Sequence, residues 1–198
     1  MEHNILAIIP ARKGSKRLPG KNMLDFFGKP LVAWTIEASL ASKLIDHVLV
    51  STDADRVAQI AQDYGVMMTG LRPANLSTDT VSLIDVVRYH VNAMDKTPDY
   101  VMLLQPTSPL RQSAYIDEAV AMLDDGADAV ISVTRAQKPS QWQFALENDS
   151  NDLSSTLNSS VSNKQSQEYA PEYCFNGAIY IAKTSRLLDE QTFILSSR

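Results

Sequence analysis

The chain has 198 residues, a formal net charge of −5, and a content of 44% hydrophobic and 21% charged residues. This composition is typical of a globular domain, and the acidic balance argues against a general nucleic-acid-binding protein, which would usually be basic. A single cysteine, Cys174, excludes an internal disulfide and a cysteine-based zinc site.

The sequence shows neither a signal peptide nor a membrane span. The first apolar run, Ile5–Ile9, is too short for a signal peptide, and no run approaches the ~20 residues of a transmembrane helix. A protein with one cysteine suits a reducing compartment. We therefore expect a cytoplasmic protein that binds neither a membrane nor nucleic acid.

The first predicted strand, Ile5–Ile9, runs directly into a basic loop, which we define as residues Pro10–Asn22. Its cationic residues are Arg12, Lys13, Lys16, Arg17 and Lys21. Ligands of open α/β sheets bind beyond the carboxyl ends of the strands, where this loop is placed. Clustered like charges are unfavourable unless an anion offsets them, and Arg and Lys side chains suit a polyphosphate. The loop therefore predicts a phosphate site, with a solvated basic turn as the alternative.

The basic loop departs from the P-loop pattern G-x-x-x-x-G-K-[ST] at two points. Gly14 and Gly20 are separated by five residues rather than four, and Asn22 stands where a P-loop has its magnesium-binding Ser or Thr. The first difference alters the cradle of backbone amides, and the second removes a metal ligand. A P-loop-type NTPase is therefore a weaker alternative, and the dinucleotide pattern G-x-G-x-x-G is absent.

Apolar stripes at helical spacing alternate with further apolar runs along the rest of the chain. The predicted helices contain Leu31–Leu40, Val57–Tyr64, Ile84–Met94 and Ile116–Leu123. The predicted later strands are His47–Val50, Tyr100–Leu104, Ala129–Val133 and Ala178–Ile181. The strands show little polar alternation, as expected when both faces are buried. This order predicts an α/β doubly wound fold, a mostly parallel sheet with helices on both faces.

Two acidic residues, Asp53 and Asp79, stand near the starts of predicted helices. We interpret both as helix N-caps rather than metal ligands, because Asp is a preferred capping residue. The three histidines, His3, His47 and His90, form no pattern in the sequence, and we assign them no chemistry.

A polar segment, Glu147–Glu168, interrupts the alternation of strands and helices. It is rich in Ser and Asn, and its three apolar residues, Leu153, Leu157 and Val161, are spaced by four. A loop of this length within a compact domain is usually functional or disordered. The segment is therefore either a mobile surface loop or an arm that orders against a partner subunit.

Five motifs occur in order along the chain. They are IIPARKGSKRLPGKN (Ile8–Asn22), VLVSTDADRVAQIAQDYGV (Val48–Val66), LRPANLSTDT (Leu71–Thr80), LLQPTSPLR (Leu103–Arg111) and FNGAIYI (Phe175–Ile181). In sequence and spacing they resemble the acylneuraminate cytidylyltransferases, also called CMP-sialic acid synthetases, over nearly all of the chain except the polar segment. The resemblance implies a nucleotide-diphospho-sugar transferase-like fold in a single domain, residues 1–198, and a homodimer with a dimerisation arm, residues 135–172. It also implies transfer of CMP from CTP to a nine-carbon acidic sugar, with release of pyrophosphate.

The resemblance places the triphosphate of CTP on the basic loop. Its phosphate-binding positions match Arg12, Ser15, Lys16 and Lys21. Arg12 and Lys21 are the expected catalytic residues, because positive charge stabilises the charge that grows on the α-phosphate and the leaving pyrophosphate.

The resemblance assigns cytosine recognition to Asn22 and Arg72, whose amide and guanidinium can read the edge of the base. A surface salt bridge is the alternative for Arg72. Ser82 lies in the adjacent nucleotide-binding stretch, and many relatives have a second Ser where this chain has Leu83.

The resemblance also implies a sugar site, for which the matching residues are Gln105, Thr107, Ser108, Gln167, Asn176 and Gly177. Gln105 is the best candidate for a direct contact. Relatives often carry an Arg just before the Gln that matches Gln167, whereas this chain has Gln165 and Ser166 there, with Lys164 next. The cation that pairs with the sugar carboxylate therefore stays open.

Magnesium is the expected cofactor, since a metal-dependent nucleotidyl transfer needs carboxylates to hold the ion on the triphosphate. In the family these come from an aspartate-rich motif downstream of the NGAIY strand, which Asp189 and Glu190 do not match. We therefore expect the metal ligands, with the C-terminal part of the family domain, beyond residue 198. A non-catalytic nucleotide-binding module is the remaining alternative, and the sequence does not choose among N-acetylneuraminic, legionaminic and pseudaminic acids.

Overall fold

A computed structural model describes residues 3–16, 18–143 and 165–196. Seven strands are present among these residues: β1 (Ile5–Pro10), β2 (Asp25–Phe26), β3 (Lys29–Pro30), β4 (His47–Ser51), β5 (Tyr100–Leu103), β6 (Ala129–Arg135) and β7 (Tyr173–Lys183). The α-helices of the same residues are α1 (Leu31–Leu40), α2 (Asp55–Asp63), α3 (Leu83–Asn92), α4 (Ser113–Ala121) and α5 (Thr184–Glu190). Arg17 and the three apolar residues of the polar segment, Leu153, Leu157 and Val161, lie outside the described residues.

The main sheet has five strands in the order β4-β1-β5-β7-β6, and β2 and β3 form a separate antiparallel pair. Strand β1 pairs in parallel with both β4 and β5. Strand β7 pairs antiparallel with β5, so that Tyr100 stands opposite Lys183. The prediction of a mostly parallel sheet is confirmed.

The side chains of β1 divide between two hydrophobic clusters, one on each face of the sheet. Ile5, Ala7 and Ile9 pack into a cluster with apolar residues of α1, α2 and α4. Leu6 and Ile8 pack into a second cluster with apolar residues of α3 and α5. Helices therefore cover both faces, as a doubly wound fold requires.

One predicted strand differs from expectation in its burial. Residues Ala129–Arg135 of β6 are partly or fully exposed, and the side chain of Val133 is 47% exposed. The expectation that this strand is buried on both faces is wrong, because among the described residues β6 forms an edge of the sheet and has a strand neighbour on one side only. Helix α5, which the sequence analysis did not predict, covers part of the second cluster through Leu187.

The chain divides into two compact units. The first consists of Met1–Ser132 and Gly177–Arg198, and it contains all five helices named above. The second is Val133–Asn176, in which the carboxylate of Glu172 accepts hydrogen bonds from the backbone N–H and the hydroxyl of Ser140 at 2.6 and 2.8 Å. The predicted arm, residues 135–172, falls within this second unit, and its contact with a partner subunit stays a prediction. Among the described residues, no helix has the length and hydrophobicity needed to cross a membrane.

Candidate active site

A pocket of about 240 Å³ opens beyond the carboxyl end of β1. Its wall combines the basic loop with residues from Arg72 to Val86, all within the first unit. Five of the seven predicted nucleotide contacts line it: Arg12, Ser15, Lys21, Asn22 and Arg72. The structure therefore brings together residues that are far apart in sequence, while Lys16 and Ser82 are not part of this wall.

A left-handed turn at Gly20 directs the end of the basic loop into the pocket. Gly20 has φ of +66°, a conformation that any residue with a Cβ adopts at a cost. A short helical turn, Lys21–Met23, follows, and the N–H of Met23 donates to the carbonyl of Gly20 at 2.9 Å. Lys21 thus reaches the pocket wall, and its ammonium has no hydrogen-bond or ion-pair partner among the described residues.

The amide of Asn22 is buried and only half satisfied. Its side chain donates from Nδ2 to the carbonyl of Arg12 at 3.1 Å, which fixes the orientation of the amide because a carbonyl only accepts. Its Oδ1 is buried and has no hydrogen-bond partner among the described residues. An unsatisfied buried acceptor destabilises a protein by about 1–3 kcal/mol. A ligand that places a hydrogen-bond donor at this oxygen would therefore bind favourably.

Arg72 is held by the end of β4. Its side chain is buried, with Nε donating to Oγ of Ser51 at 2.9 Å and Nη2 donating to the Ser51 carbonyl at 2.5 Å. Burial lowers the pKa of Arg72, an effect that the nearby charge of Asp53 opposes and that of Arg12 reinforces. The alternative of a surface salt bridge is wrong, because none of the described carboxylates pairs with this guanidinium. Among the same residues, Nη1 has no hydrogen-bond partner.

The carboxylate of Asp79 bridges two cations of the basic loop. Its oxygens lie 2.6 Å from Nη2 of Arg12 and 2.9 Å from Nζ of Lys16. The hydrogen bond from Lys16 has the largest effect and that from Arg12 the next largest, and together they hold the pKa of Asp79 below its usual value. Asp53 serves the same loop by accepting a hydrogen bond from the backbone N–H of Lys13 at 2.6 Å.

The interpretation of Asp53 and Asp79 as helix N-caps is therefore wrong. Helix α2 begins after Ala54, whose side chain makes no capping bond, and α3 is capped by Ser82, whose Oγ accepts from the N–H of Ile84 at 3.1 Å. Both carboxylates instead contact the basic loop. The structural role of Ser82 is the cap, while its contact with a nucleotide stays a prediction.

His90, to which we assigned no chemistry, contacts the same serine hydroxyl as Arg72. His90 is 1% exposed, and its Nε2 lies 2.6 Å from Oγ of Ser51. Its Nδ1 lies 2.9 Å from Oγ1 of Thr69. The available sequence signal was one polar side chain within the apolar stripe of α3, a pattern that most often belongs to the core.

Three of the predicted sugar contacts follow β5 in a turn, in which the N–H of Ser108 donates to the Gln105 carbonyl at 3.3 Å. Thr107 is exposed within this turn. Gly177 lies against it: a Cβ added there would be 3.7 Å from Oε1 of Gln105. Gly177 also has φ of +75°, so glycine is favoured at this close approach.

Arg111, to which we assigned no role, connects the two parts of this region. It is buried, and its Nη1 donates to the carbonyls of Ala178 at 2.6 Å and Gln105 at 3.3 Å. Its Nη2 donates to Oγ1 of Thr35 at 2.9 Å. Burial lowers the pKa of Arg111 to about 10. The guanidinium therefore fixes the backbone on either side of the Gln105–Gly177 contact.

The remaining predicted sugar contacts belong to the second unit. Gln167 lies in a helical turn, Ser166–Glu168, and its amide donates to Oε1 of Gln165 at 2.6 Å. Asn176 lies on the exposed part of β7. Their roles stay predictions.

The described residues contain no preformed cluster of metal ligands. Among them, no group of three or more His, Cys, Asp or Glu side chains is arranged to hold a metal ion. Asp53 and Asp79, the carboxylates bonded to the basic loop, are engaged by its N–H groups and cations. The need for magnesium stays a prediction.

Comparisons with known proteins place this pocket in context. A family model described as "Cytidylyltransferase" matches residues 6–185. The chain is 38% identical over 192 residues to CMP-N,N'-diacetyllegionaminic acid synthase of Legionella pneumophila, covering 96% of this chain and 82% of that protein. It is 40% identical over 196 residues to N-acylneuraminate cytidylyltransferase of Escherichia coli O18:K1:H7, covering 98% of this chain but 45% of that protein. The fold resembles a solved structure of CMP:2-keto-3-deoxy-manno-octonic acid synthetase complexed with CTP, with a TM-score of 0.69, 24% identity, and coverage of 98% of this chain and 79% of the other.

Proposed function

Because the chain belongs to the cytidylyltransferase family, we propose that it is a transferase that converts CTP and an N-acylneuraminate-type sugar into the CMP-sugar and pyrophosphate. One observation carries the proposal: Arg12, Lys21, Asn22 and Arg72 line a single pocket, so cations for phosphates lie beside polar groups for a base. The P-loop alternative finds no support, since Asn22 is a buried amide rather than an exposed hydroxyl beside the phosphate site.

The cations of the pocket suit the charge that develops during nucleotidyl transfer. In the proposed reaction, the anomeric hydroxyl oxygen of the sugar attacks the α-phosphorus of CTP and releases its proton to solvent, while the bond from phosphorus to the bridging oxygen of the leaving pyrophosphate breaks. Lys21 supports this step because its ammonium lines the pocket without a partner among the described residues. Arg12 supports it after exchanging the carboxylate of Asp79 for a phosphate. Both act by stabilising negative charge in the transition state.

Asn22 and Arg72 supply complementary groups for cytosine. The unpartnered Oδ1 of Asn22 is an acceptor and suits the amino group of the base. The Nη1 of Arg72 is a donor and suits the carbonyl and ring nitrogen of the same edge. Uracil presents a carbonyl where cytosine has its amino group, so it would leave Oδ1 of Asn22 without a donor. This difference is the proposed basis for selecting CTP over UTP.

The Gln105–Gly177 contact is the proposed start of the sugar site. The side-chain amide of Gln105 can donate to and accept from sugar hydroxyl or acyl groups. Arg111 keeps the surrounding backbone in place through the carbonyls of Gln105 and Ala178. The named relatives act on different nine-carbon acids, so the sugar must be identified with a panel of candidates.

We further propose a cytoplasmic homodimer in which the second unit provides the contact surface. Three large apolar residues of this unit are exposed: Val133 by 47%, Tyr173 by 66% and Phe175 by 55%. Burial of these side chains against a second copy would be favourable. The free thiol of Cys174 is exposed nearby in the sequence, which is compatible with a reducing compartment.

A substrate panel tests the proposed reaction. The protein is incubated with magnesium, one of the four NTPs, and N-acetylneuraminic, legionaminic or pseudaminic acid, and pyrophosphate release is measured. We expect release that requires both CTP and one of the sugars. Phosphate release without sugar would indicate an NTPase, and CTP binding without turnover would indicate a non-catalytic binding module. A parallel reaction with a chelator tests the predicted need for magnesium.

A further inference from the structure

The environment of His90 is a chain of polar side chains that ends at the pocket. The imidazole has one nitrogen 2.6 Å from Oγ of Ser51 and the other 2.9 Å from Oγ1 of Thr69. Oγ of Ser51 also accepts from Nε of Arg72 at 2.9 Å. Thr69, His90 and Ser51 are thus linked in series to the guanidinium that lines the pocket.

The protons of this chain can be assigned from the donors that cannot change. Arg72 only donates, so Oγ of Ser51 accepts from its Nε–H, and the hydroxyl proton of Ser51 remains to be placed. Nε2 of His90, 2.6 Å away, is the acceptor for that proton. The ring then carries its own proton on Nδ1, which donates to Oγ1 of Thr69. When the hydrogen bonds run from Arg72 through Ser51 and His90 to Thr69, the Ser51 hydroxyl and both ring nitrogens of His90 have partners.

A protonated imidazole would not serve this arrangement. Its Nε2–H would point at an oxygen that already accepts from a guanidinium, and the Ser51 proton would lose its acceptor. Burial, aided by the charge of Arg72, lowers the pKa of His90 to about 4, so the ring is neutral near pH 7.

We propose that His90 is a positioning residue for the nucleotide site: by accepting the Ser51 proton, it holds the Ser51 oxygen toward Arg72 and thereby fixes the guanidinium that reads the base. The inference rests on the proposed function and deepens it, because it adds a determinant of the choice between CTP and UTP. The Ser51 carbonyl strengthens the link, since it accepts from Nη2 of Arg72 at 2.5 Å and from the N–H of Ala11 at 2.8 Å. Ser51 therefore joins the base-reading arginine to the first residues of the basic loop.

The test measures binding of CTP and UTP by titration calorimetry, which does not require turnover. His90→Leu removes the acceptor for Ser51, and we expect it to weaken CTP binding about tenfold and to narrow the ratio of CTP to UTP affinity. His90→Gln places an amide oxygen near the position of Nε2, so it should retain most of the wild-type ratio. Val91→Ala is the matched control, because it removes core volume from the same helix and Val91 has no polar side-chain atom that could bond to Ser51, and it should leave the ratio unchanged.

A double-mutant cycle identifies the route of the effect. Ser51→Ala should reproduce the His90→Leu ratio, and the double variant should add little to either single change, because both interrupt one chain. Where His90→Leu does not fold, His90→Asn replaces it, since the shorter amide reaches the Nδ1 position but not Ser51. His90→Asn should then lose the ratio that His90→Gln keeps.

Four results would overturn the inference, and they lead to three distinguishable conclusions. A folded His90→Leu protein with unchanged CTP and UTP affinities, or Gln and Asn variants that behave alike, would reduce His90 to a core residue. An Arg72→Met variant with the wild-type ratio would show that Arg72 does not read the base. A wild-type protein that binds no CTP would overturn the proposed function itself, and with it this role of His90.

Discussion

The carboxylate of Asp79 lies 2.6 Å from Nη2 of Arg12, so the protein itself occupies the cation that we assign to the triphosphate. The same carboxylate contacts Lys16 at 2.9 Å. A nucleotide must therefore compete with Asp79 for these two side chains. Removing the charge of Asp79 should therefore strengthen nucleotide binding, whereas most substitutions in a binding site weaken it.

We expect Asp79→Asn to strengthen CTP binding roughly two- to fivefold, because ion pairs between partly exposed groups contribute an amount of this size. Titration calorimetry at low ionic strength measures the change, and higher salt should reduce it. Asp63→Asn changes the net charge equally at an exposed position on α2 and should leave the affinity unchanged. Weaker binding by Asp79→Asn would instead show that this carboxylate assists the nucleotide.

The second prediction concerns Lys21, whose ammonium lines the pocket without a partner among the described residues. We expect Lys21→Ala to lower kcat by a factor on the order of 10², as loss of one transition-state donor commonly does. Steady-state assays at saturating CTP and sugar measure this change. Lys43→Ala removes an exposed lysine far from the basic loop in the sequence and serves as the control for net charge. A folded Lys21→Ala protein with wild-type kcat would exclude a catalytic role for this residue.

The third prediction concerns the buried amide of Asn22. Asn22→Leu removes the unpartnered acceptor Oδ1, so we expect weaker binding of CTP and a smaller preference for CTP over UTP. The affinity for UTP should change less, because uracil has a carbonyl in place of the amino group that is proposed to donate to Oδ1. Competition binding with both nucleotides measures the preference. Equal weakening for the two nucleotides would mean that Asn22 supports the loop through its bond to the Arg12 carbonyl and does not read the base.

The sequence predicted the sheet and four of the helices because their apolar residues follow regular spacings. It did not predict that β6 lies at an edge, because an apolar run such as Ala129–Val133 carries no information about how many neighbours a strand has. It also missed α5, which is short and begins directly after β7. These failures concern properties set by distant parts of the chain.

The candidate site shows the same division. The basic loop, Asn22 and Arg72 were predicted from local motifs, and the structure brings them to one pocket. The partners of Asp53 and Asp79 were predicted incorrectly, because capping is a local rule and the basic loop is distant in sequence. His90 was missed because its position in an apolar stripe does not reveal that Ser51 and Thr69 face its two nitrogens.

The fourth prediction concerns stability at acidic pH. His90 is buried, and its pKa falls from an ordinary 6.5 to about 4 in the folded protein, where Arg72 is the charged group acting on it and the Ser51 and Thr69 hydroxyls and the Tyr89 ring lie beside it. The unfolded chain therefore binds a proton first as the pH falls. The contribution of this group to the free energy of unfolding is complete above about pH 6.5. It is lost as the pH falls from about 6.5 to about 4, which lowers the free energy of unfolding by roughly 3 kcal/mol. Urea denaturation of the wild type and of His90→Gln is measured at pH 7 and pH 5. The free energy of unfolding should fall less between the two pH values in the variant than in the wild type. Equal losses would contradict the prediction.

The last prediction concerns the exposed apolar residues of the second unit. Tyr173 and Phe175 are two residues apart on β7, so their side chains share one face of the strand, and both are more than half exposed. Replacing both with Ser removes apolar surface that a partner copy would cover. We therefore expect the proposed dimer to dissociate at higher protein concentrations than the wild type does, as measured by light scattering. Because Gln167 and Asn176 of the same unit are predicted sugar contacts, the apparent KM for sugar should rise more than that for CTP. Deleting Asn151–Asn163, which lies outside the described residues, should shift the equilibrium in the same direction.

Replacing Phe27, an 82% exposed residue of the first unit, with Ser controls for general loss of surface hydrophobicity and should leave the oligomeric state unchanged. A Tyr173→Ser, Phe175→Ser protein with the wild-type mass in solution would assign these side chains to another role.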